Sequence, residues 1–116
     1  MTDETVYRTM LFDFYGELLT DKQKEYFDLH YNEDYSLSEI AEMTGISRQG
    51  VWDIIKRAEE TLRKTEEKTG LIGRFRETQT AIGVIETALE ALSARLSGQE
   101  KDMALDLAKQ LETLKG

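Results

Sequence analysis

Residues 36–57 read SLSEIAEMTGISRQGVWDIIKR, and this stretch decides the fold. Ser36 and Glu39 have the spacing of a capping box, in which each side chain takes an amide left unbonded at a helix start. A helix therefore opens at Leu37, turning Leu37, Ile40 and Ala41 inward, with Ala41 small where two helices cross. Gly45 supplies the positive φ needed to end that helix and reverse the chain. Ile46 plugs the angle between the helices and Ser47 caps the second one. Val51, Ile54, Ile55, Ala58 and Leu62 mark its inner side, and no breaker interrupts it before Gly70. Two helices joined by such a turn form a helix-turn-helix, whose second helix enters the major groove in DNA-binding examples.

Upstream, Val6, Tyr7, Met10, Leu11, Phe14, Tyr15, Leu18 and Leu19 recur at three-to-four spacing and predict a helix over residues 4–19. Thr20 and Gln23 make a second capping box, with Asp21 in the first turn of a helix reaching about Tyr31. That helix buries Tyr26, Phe27 and His30, and Asn32, Glu33 and Asp34 break it. Beyond Gly70 and Gly73 the pattern changes. Phe75, Ile82, Leu89 and Leu96 repeat every seven residues, with Thr78, Ile85 and Leu92 between them, which is the a/d seam of a long helix. Ser97 and Gly98 end it, and Met103, Ala104, Leu107, Leu111 and Leu114 stripe a last helix. No segment alternates as a strand does. The expected fold is all-α, a helix-turn-helix bundle over 1–69 with a C-terminal long-helix extension or hairpin over 70–116.

Composition narrows the function. The chain has 116 residues, no cysteine, no proline and one histidine. Disulfides, thiolate metal sites and thiol chemistry are thus excluded, and histidine-based triads and zinc sites lack their parts. The GLIG at 70–73 lacks phosphate-loop spacing, and Asp21, Asp28, Glu33 and Asp34 do not form an EF-hand loop. No enzyme activity, cofactor or metal is expected. No stretch resembles a signal peptide or a membrane span, so a soluble cytoplasmic protein without membrane insertion is expected.

Charge cuts against DNA binding. The chain holds 23 acidic and 15 basic residues, a formal charge of -8, which repels a polyanion. The repulsion is uneven, because residues 37–64 hold five of each sign while residues 1–36 hold nine acids and three bases. The candidates for double-stranded DNA contact lie in the balanced region. Arg48 fits guanine edges or phosphate, and Gln49 fits adenine, both in the turn capped by Ser47. Lys56, Arg57, Arg63 and Lys64 are candidate phosphate contacts, although Arg57, Arg63 and Lys64 serve equally well as partners of Glu59, Glu60 or Glu67 on a solvated face. Trp52 is either an interface aromatic or a buried one.

Residues 20–64 resemble region four of the sigma-70 promoter-recognition factors through Thr20-x-x-Gln23, the SLSEIAEMTGIS block and the helix ending LRK. Most of residues 5–95 resembles the small bacterial YlxM-like helix-turn-helix family, encoded beside the signal recognition particle GTPase. MLFDFYGELLTDKQKEYFDLHY and YSLSEIAEMTGISRQGVWDIIKRAE carry that likeness. It implies a DNA-binding transcriptional regulator linked to signal recognition particle targeting. Arg48 matches a contacting arginine of the sigma pattern. Gln49 stands where that pattern has a base-reading glutamate, Gly50 and Trp52 where it tends to have arginines, and Asp53 where it has a polar residue. These departures remove positive charge from the groove side and leave packing positions untouched.

Two functions therefore remain. One is a DNA-binding regulator that occupies its site through residues 47–56. The other is a protein-interaction or ribonucleoprotein-accessory module with a sigma-like fold, its partner a signal recognition particle component or its RNA. In the second, the acidic first third and the C-terminal helices would hold that partner. Phe75, Ile82, Ile85, Leu89, Leu92 and Leu96 predict self-association as a homodimer, against the alternative that the last helix covers them within the chain.

Overall fold

Every regular element among residues 3–115, which the computed structural model describes, is helical. In chain order the helices are α1 (Asp3–Tyr15), α2 (Asp21–Phe27), α3 (Leu37–Thr44), α4 (Arg48–Thr69), α5 (Leu71–Ser93) and α6 (Gly98–Leu114). Contacts divide the chain into one compact unit ending at Ile72 and another beginning at Gly73. Residues 1 and 2 of the expected 1–69 segment, and residue 116 of the 70–116 segment, lie outside the described residues.

Local capping sets the helix starts in the first unit. The Thr20 hydroxyl accepts the Gln23 amide at 3.2 Å while Gln23 Oε1 accepts the Thr20 amide at 3.1 Å. Ser36 and Glu39 repeat the exchange at 3.1 and 2.9 Å. Each such cap stabilises its helix by about 1 kcal/mol. The core then forms from Leu11, Phe27, Ile40, Val51, Ile55, Leu62 and Ile72, all fully buried. Phe12 stacks on Phe27 with ring centroids 5.2 Å apart.

Two corrections to the expected helices arise at their ends. α1 stops at Tyr15 rather than running to Leu19, because residues 16–18 tighten into a 3-10 turn closed by Leu19 N–H donating to Gly16 O at 3.1 Å. That change of pitch turns Leu18 outward, 63% exposed, while Leu19 is buried. The helix expected to reach Tyr31 is α-helical only to Phe27, and residues 28–32 widen into a π-turn. His30 is half-buried there, its Nδ1 2.8 Å from the Tyr35 carbonyl.

A carboxylate ties α1 to α4. Glu59 accepts from Arg8 Nε at 2.8 Å on one oxygen and from Arg63 Nε at 3.1 Å on the other, and Arg63 also bonds Glu4. Arg8 lies over the Tyr31 ring, 4.3 Å from its centroid. At the end of α4, the Tyr15 hydroxyl donates to Glu66 Oε1 at 2.6 Å, and the same oxygen accepts the Ile72 amide at 3.0 Å. Burial pushes the Tyr15 phenol above its ordinary range, and the Glu66 carboxylate adds to that. This contact fixes the turn at Gly70, whose φ of 63° ends α4.

In the second unit α5 and α6 form an antiparallel hairpin. Gln79 donates to the Lys115 carbonyl, and Lys115 Nζ sits 3.0 Å from Glu86. Ile82, Ser93 and Ala104 are buried in it.

Candidate nucleic-acid interface

Residues 37–69 build the helix-turn-helix from the bottom up. α3 ends at Gly45, which has φ 76° and donates its amide to Ala41 O at 2.9 Å. Thr44 Oγ1 donates back to Ile40 O at 2.8 Å. The Ser47 hydroxyl then accepts the Gly50 amide at 3.0 Å and starts α4. Val51, Ile55, Ala58 and Leu62 point into the core, so the opposite side of α4 faces solvent.

Arg48 and Gln49 are exposed in that first turn. Among the described residues Arg48 has no hydrogen-bond or ion-pair partner. Gln49 is engaged, its Nε2 donating to Asp53 Oδ1 at 2.9 Å one turn on, which leaves the amide oxygen as an open acceptor. Trp52 is half-buried with its ring edge-on to His30, centroids 6.4 Å apart. Leu37, Arg48, Gln49 and Trp52 line one open depression of about 360 Å³.

The basic residues further along α4 separate into two kinds. Lys56, Arg57 and Lys64 are exposed and unpaired among the described residues. Arg63 is committed to Glu59 and Glu4, and it lies 5.5 Å from the Tyr7 centroid. Burial opposes charge on Glu59, yet the hydrogen bonds from Arg8 and Arg63 outweigh it and hold the carboxyl below its usual range. That pairing takes one acid away from the exposed face of α4. Sequence reasoning missed Arg8 as a partner of Glu59 and Glu4 as a partner of Arg63, because 51 and 59 residues separate these pairs and no spacing rule spans them. It also gave Leu37 only an inward role, although its side chain reaches the depression beside Arg48.

The hairpin residues expected at a self-association surface divide as well. Ile82 is buried and Leu89 and Leu96 are half-buried. Phe75, Ile85 and Leu92 stay exposed. Leu89 lines a groove of about 320 Å³ between α5 and α6, with Ile85, Leu107 and Leu111. The other side of α5 is also apolar, with Val84 66% exposed near Ala88 and Ala91.

No group of three metal-ligating side chains occurs among the described residues, and no described helix is long and apolar enough to cross a membrane. A turn-linked α3 and α4 presenting a capped, exposed first turn define a helix-turn-helix protein. The match to known families is more specific. Residues 2–105 match the family described as "Putative helix-turn-helix protein, YlxM / p13 like", and the chain belongs to this UPF0122 family. A UPF0122 protein of Thermoanaerobacter sp. (strain X514) is 43% identical over 119 residues, covering 98% of each chain. Another, from Caldanaerobacter subterraneus subsp. tengcongensis, is 49% identical over 89 residues, covering 77% of this chain and 76% of its own. One from Listeria welshimeri is 46% identical over 89 residues, covering 77% and 81%. The family is described by its fold motif and not by a catalysed reaction.

Proposed function

We propose that this chain binds double-stranded DNA and regulates transcription in the cytoplasm, with the first turn of α4 in the major groove. Arg48 carries the reading, as an exposed guanidinium without a partner among the described residues at the turn that approaches base edges in helix-turn-helix docking. Lys56, Arg57 and Lys64 add phosphate contacts, which set register without reading sequence. Arg63 contributes least, being held by Glu59 and Glu4. The likeness to YlxM-like proteins extends the reading to genes of signal recognition particle targeting. Self-association through the α5–α6 hairpin would bring two copies of α4 to two half-sites.

A salt titration against random duplex DNA, followed by selection from a random-sequence pool, tests this. Four unpaired cations predict that log K falls against log salt with a slope of roughly −3 to −4. A selected site bound well below micromolar concentration supports a regulator.

A second reading is favoured by one observation. Asp53 sits on the groove side and occupies the Gln49 amide, which weakens both attraction to phosphate and adenine readout. In that reading the chain is a protein-interaction or ribonucleoprotein-accessory module for a signal recognition particle component or its RNA. Duplex binding that is micromolar or weaker and indifferent to sequence selects it.

A further inference from the structure

We infer that Trp52 and Leu37 form a receptor for the 5-methyl group of a thymine, next to the base contacted by Arg48. The inference rests on the DNA-binding reading and makes it specific.

The depression at the start of α4 is chemically divided. Leu37 and Trp52 give it an apolar side, and Arg48 and Gln49 give it a polar rim. Trp52 meets the His30 ring edge-on, with centroids 6.4 Å apart, and His30 Nδ1 lies 2.8 Å from the Tyr35 carbonyl. The half-buried indole also packs against the core, so it presents a supported apolar surface to the depression. The rim has one unpaired cation, Arg48, and one open acceptor, the Gln49 amide oxygen, since Asp53 occupies the amide nitrogen.

Base edges in the major groove differ in what they offer such a surface. The thymine methyl is the one apolar group there, guanine presents two acceptors, and adenine and cytosine present amino donors. An apolar wall beside a free guanidinium therefore matches a thymine next to a guanine. A phosphate would use Arg48 alone and leave the indole and Leu37 idle. A cytosine at the wall would set its amino group against carbon, leaving a polar group without a partner.

The test starts from the duplex obtained by selection and replaces each thymine singly by uracil, which deletes only the methyl. Expected is one position where uracil weakens wild-type binding about fourfold, the loss of one buried methyl, with other positions unchanged. Trp52 is the chain's one tryptophan, so its emission should change on binding the thymine duplex and less on binding the uracil duplex. In W52A and, independently, L37A, thymine and uracil duplexes should bind alike, whereas R48A should weaken both and keep their ratio. The wild-type series needs no variant to fold. A bound duplex in which no uracil matters overturns the inference and leaves DNA binding standing. A thymine preference that survives in both W52A and L37A also overturns it, since another residue then holds the methyl. Failure to bind any duplex overturns both readings together.

Discussion

Gly50 and Ile46 approach so closely that a Cβ on residue 50 would lie 2.7 Å from Ile46 Cγ2, and 3.1 Å from the Ser47 hydroxyl. The glycine is needed for space, because its backbone is helical and carries no positive φ. Ile46 is β-branched and stiff, so it does not swing aside at low cost. G50A should therefore lose about 1–3 kcal/mol of stability by overpacking, against the gain of roughly 1 kcal/mol that alanine brings to an unhindered helix. Urea denaturation checks this, and a G50A midpoint at or above wild type contradicts the close approach. G50R, which places a cation at this turn, should show the same loss.

The three capped helix starts were legible because each is written within three or four residues. Ser36 with Glu39, Thr20 with Gln23 and Ser47 all act on amides next to them. Gly45 was legible for the same reason, since ending a helix requires a local backbone angle. The need for glycine at 50 was not, although Ile46 is only four residues away, because it depends on the direction the turn gives the Ile46 methyl. The end of α1 escaped the apolar pattern in the same way. Leu18 continues the three-to-four spacing, but the 3-10 turn from Gly16 rotates it out of the core. At the candidate interface the residue types were readable and their engagement was not. Nothing in the spacing of Glu4 and Arg63 announces that they meet, and so the division of the basic residues into free and committed needed coordinates.

Arg48 should carry more of the DNA affinity than any basic residue further along α4. Replacing a side chain at base-edge distance costs about 1–3 kcal/mol, roughly tenfold or more in affinity, whereas K64A should cost less and do so equally for all sequences. R48A should keep its helical circular dichroism, because its side chain packs on nothing in the core. Equal binding of R48A and wild type to the selected duplex would remove Arg48 from the interface.

Gly45 has φ 76° and nothing within 4 Å of where a Cβ would lie, so a substitution there meets backbone strain and no clash at that carbon. G45V should lose about 1–3 kcal/mol, while G45N should lose less, since asparagine tolerates the left-handed region. Melting curves for the two variants give the comparison. Equal loss in both would mean that strain is not the cause.

Glu59 makes stability depend on acid. Burial raises its proton affinity, but Arg8 and Arg63 outweigh that and hold its folded pKa below the ordinary value of 4.5. The ionised form is thus favoured in the folded chain. Its contribution is present above about pH 4.5 and fades as pH falls through the lower, folded value. E59Q should be less stable than wild type at neutral pH, and the difference should shrink on acidification below pH 4.5. Denaturant midpoints from neutral to strongly acidic pH read this directly, and a difference constant with pH would assign Glu59 a packing role only.

Self-association should run through the outer side of α5. The hairpin uses Ile82 and Leu89 internally, so L89E would damage the hairpin before it tested any interface. Val84 and Leu92 are better probes, being 66% and 49% exposed and flanking the small residues Ala88 and Ala91, which allow a second helix close approach. A contiguous apolar patch left in water marks an interaction surface, and Val84, Ala88, Ala91 and Leu92 lie side by side here. Sedimentation equilibrium at high micromolar concentration should return twice the chain mass of 13.3 kDa. V84E/L92E should return the single-chain mass with unchanged helical circular dichroism, because two carboxylates would be buried without partners in a dimer and remain hydrated in the monomer. A wild-type mass near 13.3 kDa defeats self-association. A wild-type dimer that persists in V84E/L92E moves the interface to another face, and the apolar row of Met103, Leu107 and Leu114 on α6 is then the surface to change.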